Sequence, residues 1–283
     1  MAVKLSNMLF GAFVLLFVLQ PCVIKSLKLD SLKNLEQVQK GGGASGINQV
    51  KQYLKRYGYY PHGVKLTLDD RFDDSLESAL KAYQQFLYLD VTGKIDSATI
   101  KTMMTPRCGM PDNQGESHLV SNYNITNSKW RKYNLSYSTS NAPSGFTVTG
   151  VDTVFARALK SWADVSPFKF TKNSNSDIKV GFYSNNHGDY PFYDPVDKVE
   201  AYAHAFYPED GRVHFNTLYT WSTNPTSKQA DFESIAVHEL GHSLGLDHSG
   251  LKSAIMYPYI ALGAIKRNLT QDDKDGLKAM YKY

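Results

Sequence analysis

The segment AVHELGHSLGLDHSG, residues 236–250, constrains this chain more than any other stretch, because three of its eight histidines lie there. His238 and His242 are four residues apart, so on a helix both imidazoles project from one face and can bind one metal ion. Gly245 allows the left-handed conformation that ends a helix, and the chain can then return with His248 as a third ligand. A catalytic zinc site keeps three such ligands and one open position, so the spacing predicts catalytic zinc.

Glu239 lies between the two helical histidines and points close to the predicted metal without being needed as a ligand. A carboxylate in this place suits a general base, which takes a proton from the water that the metal activates. The alternative is a helix that carries two histidines by chance. Gly245 and His248 at these offsets argue against it, and the pattern indicates metal-dependent hydrolysis with Glu239 as the catalytic residue.

The overall composition fits a folded protein and argues against a nucleic-acid partner. Hydrophobic residues make up 42% and charged residues 20% of the 283 residues, which is ordinary for globular proteins. The net charge of +4 is spread along the chain and forms no clustered basic stripe. The length allows one large domain or two modest ones.

The N-terminus resembles a secretory leader. An apolar run from Met8 to Leu19 follows a lysine and is too short to span a bilayer comfortably. We interpret residues 1–26 as a signal peptide, with a signal anchor as the alternative, and expect no transmembrane segment after its removal. Three sequons, at Asn124, Asn134 and Asn268, agree with export and predict glycosylation.

Two patterns follow the leader. Between about residues 47 and 105, apolar residues recur at spacings of three and four and predict three helices, one of them introduced by a start box at Asp74 and Glu77. A polar stretch at 115–121 is a candidate linker. Beyond it, YNLSYST, DIKVGFY and AYAHAFY predict strands, while VDTVFARALKSWADV, DFESIAVHELGHSLG and TQDDKDGLKAMYKY predict helices. This second region is therefore predicted to be an α+β domain.

The motifs together resemble one known family. HELGHSLGLDHS followed by AIMYP is similar to the metzincin zinc-protease signature with its Met-turn, and Ser249 after the third histidine points to the matrixin branch, the matrix metalloproteinases. PRCGMPD, residues 106–112, resembles that family's propeptide switch. The short layout looks most like the plant-type members.

The resemblance implies a particular architecture. It implies an α+β metzincin catalytic domain, a twisted mixed sheet with three helices, over residues 122–283. A small three-helix prodomain similar to peptidoglycan-binding modules would precede it over residues 27–121 and would include the switch. Met256 would lie in the turn beneath the zinc.

Cys108 gains a role from this resemblance. Cys22 belongs to the leader region, so Cys108 is left alone in a secreted protein. A thiolate in the fourth zinc position would exclude water and keep the enzyme latent. Arg107 and Asp112 flank it with opposite charges and could pair to support the switch. An idle cysteine is the alternative, and removal of the prodomain by an activating protease would free the site.

A second set of residues can close a structural zinc site. His187, Asp189, His204 and His214 supply three nitrogen ligands and one oxygen ligand, and they match the family's structural zinc positions. Taken singly, each would be an ordinary polar residue.

The sequence does not decide whether the chain binds calcium. Asp194, Asp197 and Glu200 could bind Ca²⁺ or form a solvated acidic loop. Relatives carry carboxylates where this chain has Asn216 and Tyr219.

The resemblance also implies how a substrate binds. The strand at 201–206 would pair with an extended polypeptide, with the Ala203 carbonyl near the reacting amide. Residues 258–264 would wall the pocket for the residue after the cut, and Asp272 or Asp273 would receive the N-terminal ammonium created by activation.

The predicted function is a secreted zinc metalloendopeptidase made as a latent zymogen. Its expected substrates are extracellular matrix or cell-wall proteins, in the extracellular space, apoplast or cell wall. The alternative is a zinc-containing wall-binding or interaction protein with little or no turnover.

Overall fold

The computed structural model describes residues 32–283 apart from 33, 62, 64, 113–117, 121–122, 126–127, 186 and 194–199. The predicted signal peptide, Asp194, Asp197 and most of the predicted linker lie outside the described residues. Among the helices of the described part, none combines the length and the apolar character that a membrane crossing requires.

The N-terminal region is helical, as predicted. A short 3₁₀ helix, Asn34–Gln37, precedes α1 (Ile47–Arg56), α2 (Asp74–Phe86) and α3 (Ser97–Met103). Their apolar faces enclose a core rich in tyrosine, and Tyr257 and Tyr259 from the far end of the chain belong to the same core. The two regions of the chain therefore pack against each other through shared apolar contacts.

The predicted start of α2 is wrong by one residue. Asp73, not Asp74, caps the helix, because its carboxylate accepts a hydrogen bond from the Leu76 backbone N–H at 2.8 Å. The same carboxylate accepts a hydrogen bond from the buried Lys51 ammonium at 2.6 Å, which fixes it at the end of the helix.

The C-terminal region combines strands and three helices. In chain order its elements are β1 (His118–Val120), β2 (Tyr123–Ile125), β3 (Asn134–Thr139), α4 (Val148–Ala163), β4 (Lys169–Lys172), β5 (Ile178–Tyr183), β6 (Ala203–Ala205), β7 (Arg212–Asn216), β8 (Trp221–Ser222), β9 (Ala230–Asp231), α5 (Phe232–Ser243), β10 (Leu246–Ser249) and α6 (Gln271–Tyr281). The main sheet has the order β4-β3-β5-β7-β6, parallel except for β6, which pairs antiparallel with β7 at one edge. The predicted α+β fold with a mixed sheet is confirmed.

Helix α5 is fixed in orientation by the core. All of its residues are buried, and α4 packs against it through the apolar face that the sequence predicted. Two tryptophans tie the helix backbone from outside: Trp162 Nε1 donates to the Val237 carbonyl at 2.8 Å, and Trp130 Nε1 donates to the Ser243 carbonyl at 2.8 Å. The helix therefore holds its side chains in one direction.

Gly245 ends this helix in the way that its position predicts. Its φ of +102° lies in the left-handed region. A Cβ atom there would come within 2.6 Å of the Ser128 carbonyl oxygen, so no side chain fits without movement of the backbone. The chain turns at this residue and enters β10 at once.

Candidate metal centres

The three histidines of the opening motif converge on one point. Their Nε2 atoms are separated by 3.2 Å (His238 and His242), 3.3 Å (His238 and His248) and 3.1 Å (His242 and His248). Burial lowers the pKa of all three imidazoles, so they are neutral. Neutral imidazole is the form that binds metal ions.

The outer nitrogen of each ring is held by an oxygen acceptor. Nδ1 of His238 lies 2.7 Å from the Ile255 carbonyl, Nδ1 of His242 lies 2.7 Å from the Leu246 carbonyl, and Nδ1 of His248 lies 2.8 Å from Asp112 Oδ1. Each Nδ1 must therefore carry the proton, which turns the lone pair of every Nε2 toward the shared point.

These distances fit a tetrahedral zinc ion. Zinc–nitrogen bonds of about 2.0–2.1 Å and a zinc–sulfur bond of about 2.3 Å place the nitrogens roughly 3.3 Å apart and the sulfur roughly 3.5 Å from each nitrogen. Cys108 Sγ lies 3.5 Å from His242 Nε2 and completes a buried group of four donors. The donor set and its spacing are those of zinc bound by three histidines and a thiolate.

A metal ion also accounts for the ionisation state that a thiolate ligand requires. Burial raises the pKa of the Cys108 thiol well above its ordinary value, and the neighbouring Glu239 carboxylate raises it further. The thiol would therefore stay protonated without a cation beside it, whereas a bound metal deprotonates a coordinating thiol.

Glu239 lies beside the cluster and is fully buried. Neither of its carboxylate oxygens has a donor at ordinary hydrogen-bond geometry among the described residues, and burial, partly offset by the neighbouring Cys108 thiol, raises its pKa to about 8. A carboxylate with this environment accepts protons readily near neutral pH.

The turn that contains Met256 packs directly beneath the histidines. A Cβ atom on Gly241 would lie 2.2 Å from Met256 Sδ, so the glycine between His238 and His242 lets the methionine approach the helix. Asp273 holds this turn by accepting hydrogen bonds from the backbone N–H groups of Ile255 at 2.9 Å and Met256 at 3.0 Å.

The residues that flank Cys108 form a buried ion pair. Arg107 Nη2 lies 2.5 Å from Asp112 Oδ1 and Nη1 lies 3.0 Å from Oδ2, with neither side chain exposed. The guanidinium stacks 3.4 Å above the Tyr57 ring centre and donates to Tyr259 Oη at 2.9 Å. Burial alone would raise the pKa of Asp112, but Arg107 and His248 outweigh it and lower the pKa to about 2.

The backbone of the same segment lies in a groove between two parts of the C-terminal region. Gly109 N–H donates to the Ala203 carbonyl at 2.8 Å on the β6 side, and Cys108 N–H donates to the Pro258 carbonyl at 2.9 Å on the other side. Tyr202 N–H donates to the Arg107 carbonyl at 3.0 Å. The segment therefore occupies the groove that the sequence analysis predicts for an extended substrate.

The second predicted set of metal ligands also converges. His204 Nε2 lies 3.4 Å from His187 Nε2 and 3.3 Å from His214 Nδ1, and Asp189 Oδ1 lies 2.7 Å from His187 Nε2. Burial and the neighbouring imidazoles lower the pKa of His204 to about 2. Nδ1 of His187 lies 2.9 Å from the Ser184 carbonyl and so carries the proton, which leaves the lone pair of Nε2 facing the buried Asp189 Oδ1; a divalent cation between them would bind both.

Of the three residues predicted to bind calcium, only Glu200 is among the described residues. Glu200 Oε1 accepts a hydrogen bond from Asn216 Nδ2 at 3.2 Å, and burial raises the pKa of the carboxyl group. Tyr219 Oη donates to the Glu200 carbonyl at 3.0 Å. Two oxygens of this residue are therefore engaged by side-chain donors, and calcium binding stays an open prediction.

Of the three sequons, two can be described in full. Asn134 and Asn268 are exposed, which a glycan requires. Asn124 lies in β2, and its side chain is outside the described residues.

The sequence analysis missed the second contact of Asp112, its hydrogen bond to His248. It also missed the tyrosines around Arg107 and the role of Asp273 in holding the Met256 turn. Tyr57 directly follows α1 and continues the spacing of three and four of its apolar residues Ile47, Val50 and Leu54, which was the available signal for one of the tyrosines.

Comparison with known families gives two matches. The family described as Matrixin matches residues 129–282. The family described as a putative peptidoglycan binding domain matches residues 43–103, within the helical region.

Several known proteins are similar to this chain over most of its length. Metalloendoproteinase 1-MMP of Arabidopsis thaliana is 38% identical over 87% of this chain and 72% of its own length. Metalloendoproteinase 1 of Glycine max is 39% identical over 85% of this chain and 83% of its own length. Stromelysin-2 of Rattus norvegicus is 34% identical over 84% of this chain and 49% of its own length.

Proposed function

We propose that this chain, which belongs to the matrixin family of zinc metalloendopeptidases, is exported as a latent zymogen and hydrolyses extracellular proteins once its switch is removed. The observation that carries the proposal is the buried group of three imidazoles and one thiol, spaced as ligands of a single zinc ion. His238, His242 and His248 hold the catalytic zinc, and Cys108 completes the latent form.

The chemistry divides between the metal and this chain's own residues. Zinc, when bound, supplies a Lewis acid that polarises the substrate carbonyl and acidifies water. Glu239 takes the proton of the attacking water as the new carbon–oxygen bond forms, and passes it to the amide nitrogen as the carbon–nitrogen bond breaks.

The groove residues orient the substrate. The Ala203 and Pro258 carbonyls accept hydrogen bonds from the switch backbone in the latent form. An extended substrate would use the same acceptors after the switch has left, in the manner of an added strand. Latency follows because switch and substrate compete for one groove and for one position beside the histidines.

The remaining assignments extend this proposal. Residues 1–26 form a signal peptide, 27–121 a prodomain and 122–283 the catalytic domain. His187, Asp189, His204 and His214 hold a structural zinc. An activating protease cuts between the two folded regions, and Asp272 receives the new ammonium: its carboxylate accepts a hydrogen bond from the Ser249 hydroxyl, whereas both carboxylate oxygens of Asp273 are bound to backbone N–H groups of the Met256 turn.

A second candidate function is favoured by one observation, the peptidoglycan-binding match over residues 43–103. On this alternative the chain is a zinc-containing protein that binds cell-wall polymers or partners with little turnover. The intact set of three imidazoles with Glu239 argues for turnover.

For the proposed protease, the proposed substrates are matrix or cell-wall proteins of the extracellular space or apoplast.

The test uses the full chain. A mercurial that caps the Cys108 thiol should open the site, after which cleavage of quenched peptides and zinc content are measured together. We expect the wild type to cleave, and the Glu239→Gln variant to hold the same amount of zinc without cleaving. A wild type that holds zinc yet cleaves no member of a diverse peptide pool would favour the binding alternative.

A further inference from the structure

A pocket beside the catalytic residues runs along helix α5. Cys108 and Glu239 line one end, and Ser234 and Lys266 line the other, with Ile235 on the wall between them. Ser234 and His238 are four residues apart on the helix, so the far end lies about 5–6 Å below the zinc ligand.

Lys266 is fixed at that far end. Its backbone N–H donates to Ser234 Oγ at 2.7 Å, and Ser234 Oγ donates to Asp231 Oδ2 at 2.5 Å. These bonds anchor the lysine backbone to the start of the helix that carries the catalytic residues.

The ammonium of Lys266 has one protein acceptor among the described residues, in a hydrogen bond that solvent can reach. Nζ donates one hydrogen bond to the Lys252 carbonyl at 2.9 Å and lies 5.3 Å from the centre of the Tyr257 ring. An ammonium has three donors, so two find no oxygen partner among the described residues. Burial lowers its pKa to about 8, with Asp273 opposing and Lys252 reinforcing the shift. The Lys266 ammonium therefore retains its charge at neutral pH, and two of its N–H groups remain available for hydrogen bonds to a substrate.

The hydroxyl groups of Tyr202 and Tyr259 in the other walls are already hydrogen-bonded, to the Ile260 carbonyl and to Arg107, which leaves the Tyr257 hydroxyl as the further polar group that a substrate side chain could meet. Ile235, Ile260 and the Tyr257 ring contribute apolar surface. A substrate side chain that enters beside Glu239 and extends along α5 by one helical turn would contact the apolar walls first and the Lys266 ammonium last.

We propose that Lys266 determines specificity in this pocket, by selecting substrates whose residue after the scissile bond ends in a carboxylate or amide oxygen, namely glutamate or glutamine. This inference rests on the proposed function, since a peptide carbonyl at the histidine cluster places the following side chain at the mouth of the pocket. Aspartate and asparagine are too short to reach the far end.

The experiment uses the full chain opened with the thiol-capping mercurial. Four quenched peptides differ only in the residue after the cut, which is glutamate, glutamine, aspartate or leucine. The variants are Lys266→Met, Lys266→Arg and the matched control Lys252→Met, which removes an equal charge from an exposed residue nearby.

We expect Lys266→Met to lower kcat/KM for the glutamate and glutamine peptides by about tenfold or more relative to the leucine peptide, the effect of one hydrogen bond to a charged group. Lys266→Arg and Lys252→Met should keep the wild-type ratio. In the wild type, the advantage of glutamate over glutamine should fall as the pH rises past about 8 and the ammonium loses its charge.

Two outcomes would overturn the inference while leaving the proposed function intact. One is an unchanged glutamate-to-leucine ratio in Lys266→Met, and the other is an equal loss for all four peptides, which indicates a packing role only. A zinc-loaded wild type that cleaves none of the four peptides, nor a diverse pool, would instead refute the proposed function and the inference with it.

Discussion

Replacement of Arg107 by methionine tests the switch most directly. The side chain keeps its length and loses its charge, so Asp112 is left as a buried anion at a site where neither partner is exposed. In the open state both residues would be solvated, and the substitution would cost little there. The difference should appear in the equilibrium between the closed and open forms.

The contacts that Asp112 keeps after the substitution determine how far the equilibrium shifts toward the open form. Breaking a buried ion pair by removing one partner costs about 3–5 kcal/mol. Tyr59 Oη and His248 Nδ1 still bind Asp112, at 2.6 and 2.8 Å, so the lower end applies. A loss of about 3 kcal/mol raises the open population by roughly 150-fold.

The reaction of Cys108 with a thiol reagent measures that population, provided that reclosing is faster than modification. Modification of Cys108 in the full chain is followed by mass spectrometry, which separates it from any reaction at Cys22. Tyr59→Phe is the control, since it removes one hydrogen bond and keeps the ion pair. We expect a smaller effect from the control, roughly 10- to 15-fold, which corresponds to about 1.5 kcal/mol for one hydrogen bond to a charged group. A rate in Arg107→Met that equals the wild-type or the Tyr59→Phe rate would refute the reasoning.

Three further predictions concern metal content, stability and pH. His204→Ala should lose one zinc ion per chain by atomic absorption while the catalytic cluster keeps its own, and unchanged zinc content would contradict the second site. Gly245→Ala should lower the free energy of unfolding in urea by at least about 1–2 kcal/mol, because φ is +102° and a Cβ meets the Ser128 carbonyl; an unchanged urea midpoint would show that the turn adapts. Burial would raise the pKa of Asp73, but Lys51 outweighs it and lowers the pKa to about 2, so their pairing stabilises the fold above about pH 4 and is lost as the pH falls toward 2. The free energy of unfolding should therefore fall less steeply over this range in Lys51→Met than in the wild type, and parallel titrations would count against the pair.

The catalytic cluster could be predicted because its geometry is local. Helical periodicity places His238 and His242 on one face, and one glycine returns the chain to His248 within a few residues. Strands β3 and β5 were likewise predicted from their own alternation and composition. In each case a short stretch of sequence contains the whole signal.

The contacts around Arg107 could not be predicted because they depend on how two regions dock. Asp112 and His248 are 136 residues apart, and Tyr259 reaches the guanidinium from another part of the chain. The predicted strand at AYAHAFY is also shorter than expected. Its paired residues are Ala203–Ala205, and one backbone hydrogen bond at each end, from Asn216 N–H to the Tyr202 carbonyl and from Phe206 N–H to the Arg212 carbonyl, continues the contact with β7.

The hydrogen bond from His248 to Asp112 has a consequence for how the metal is retained. Cys108 and Asp112 reach the histidine cluster from one short segment, the first beside the Nε2 atoms and the second behind an imidazole. Docking of this segment and loading with zinc are then thermodynamically linked, and each strengthens the other by the same factor. A chelator should loosen the prodomain, and loss of the prodomain should raise the dissociation constant for zinc. On the latency proposed above, the segment that blocks the site would therefore also strengthen zinc binding, and the chain would bind zinc most tightly before activation.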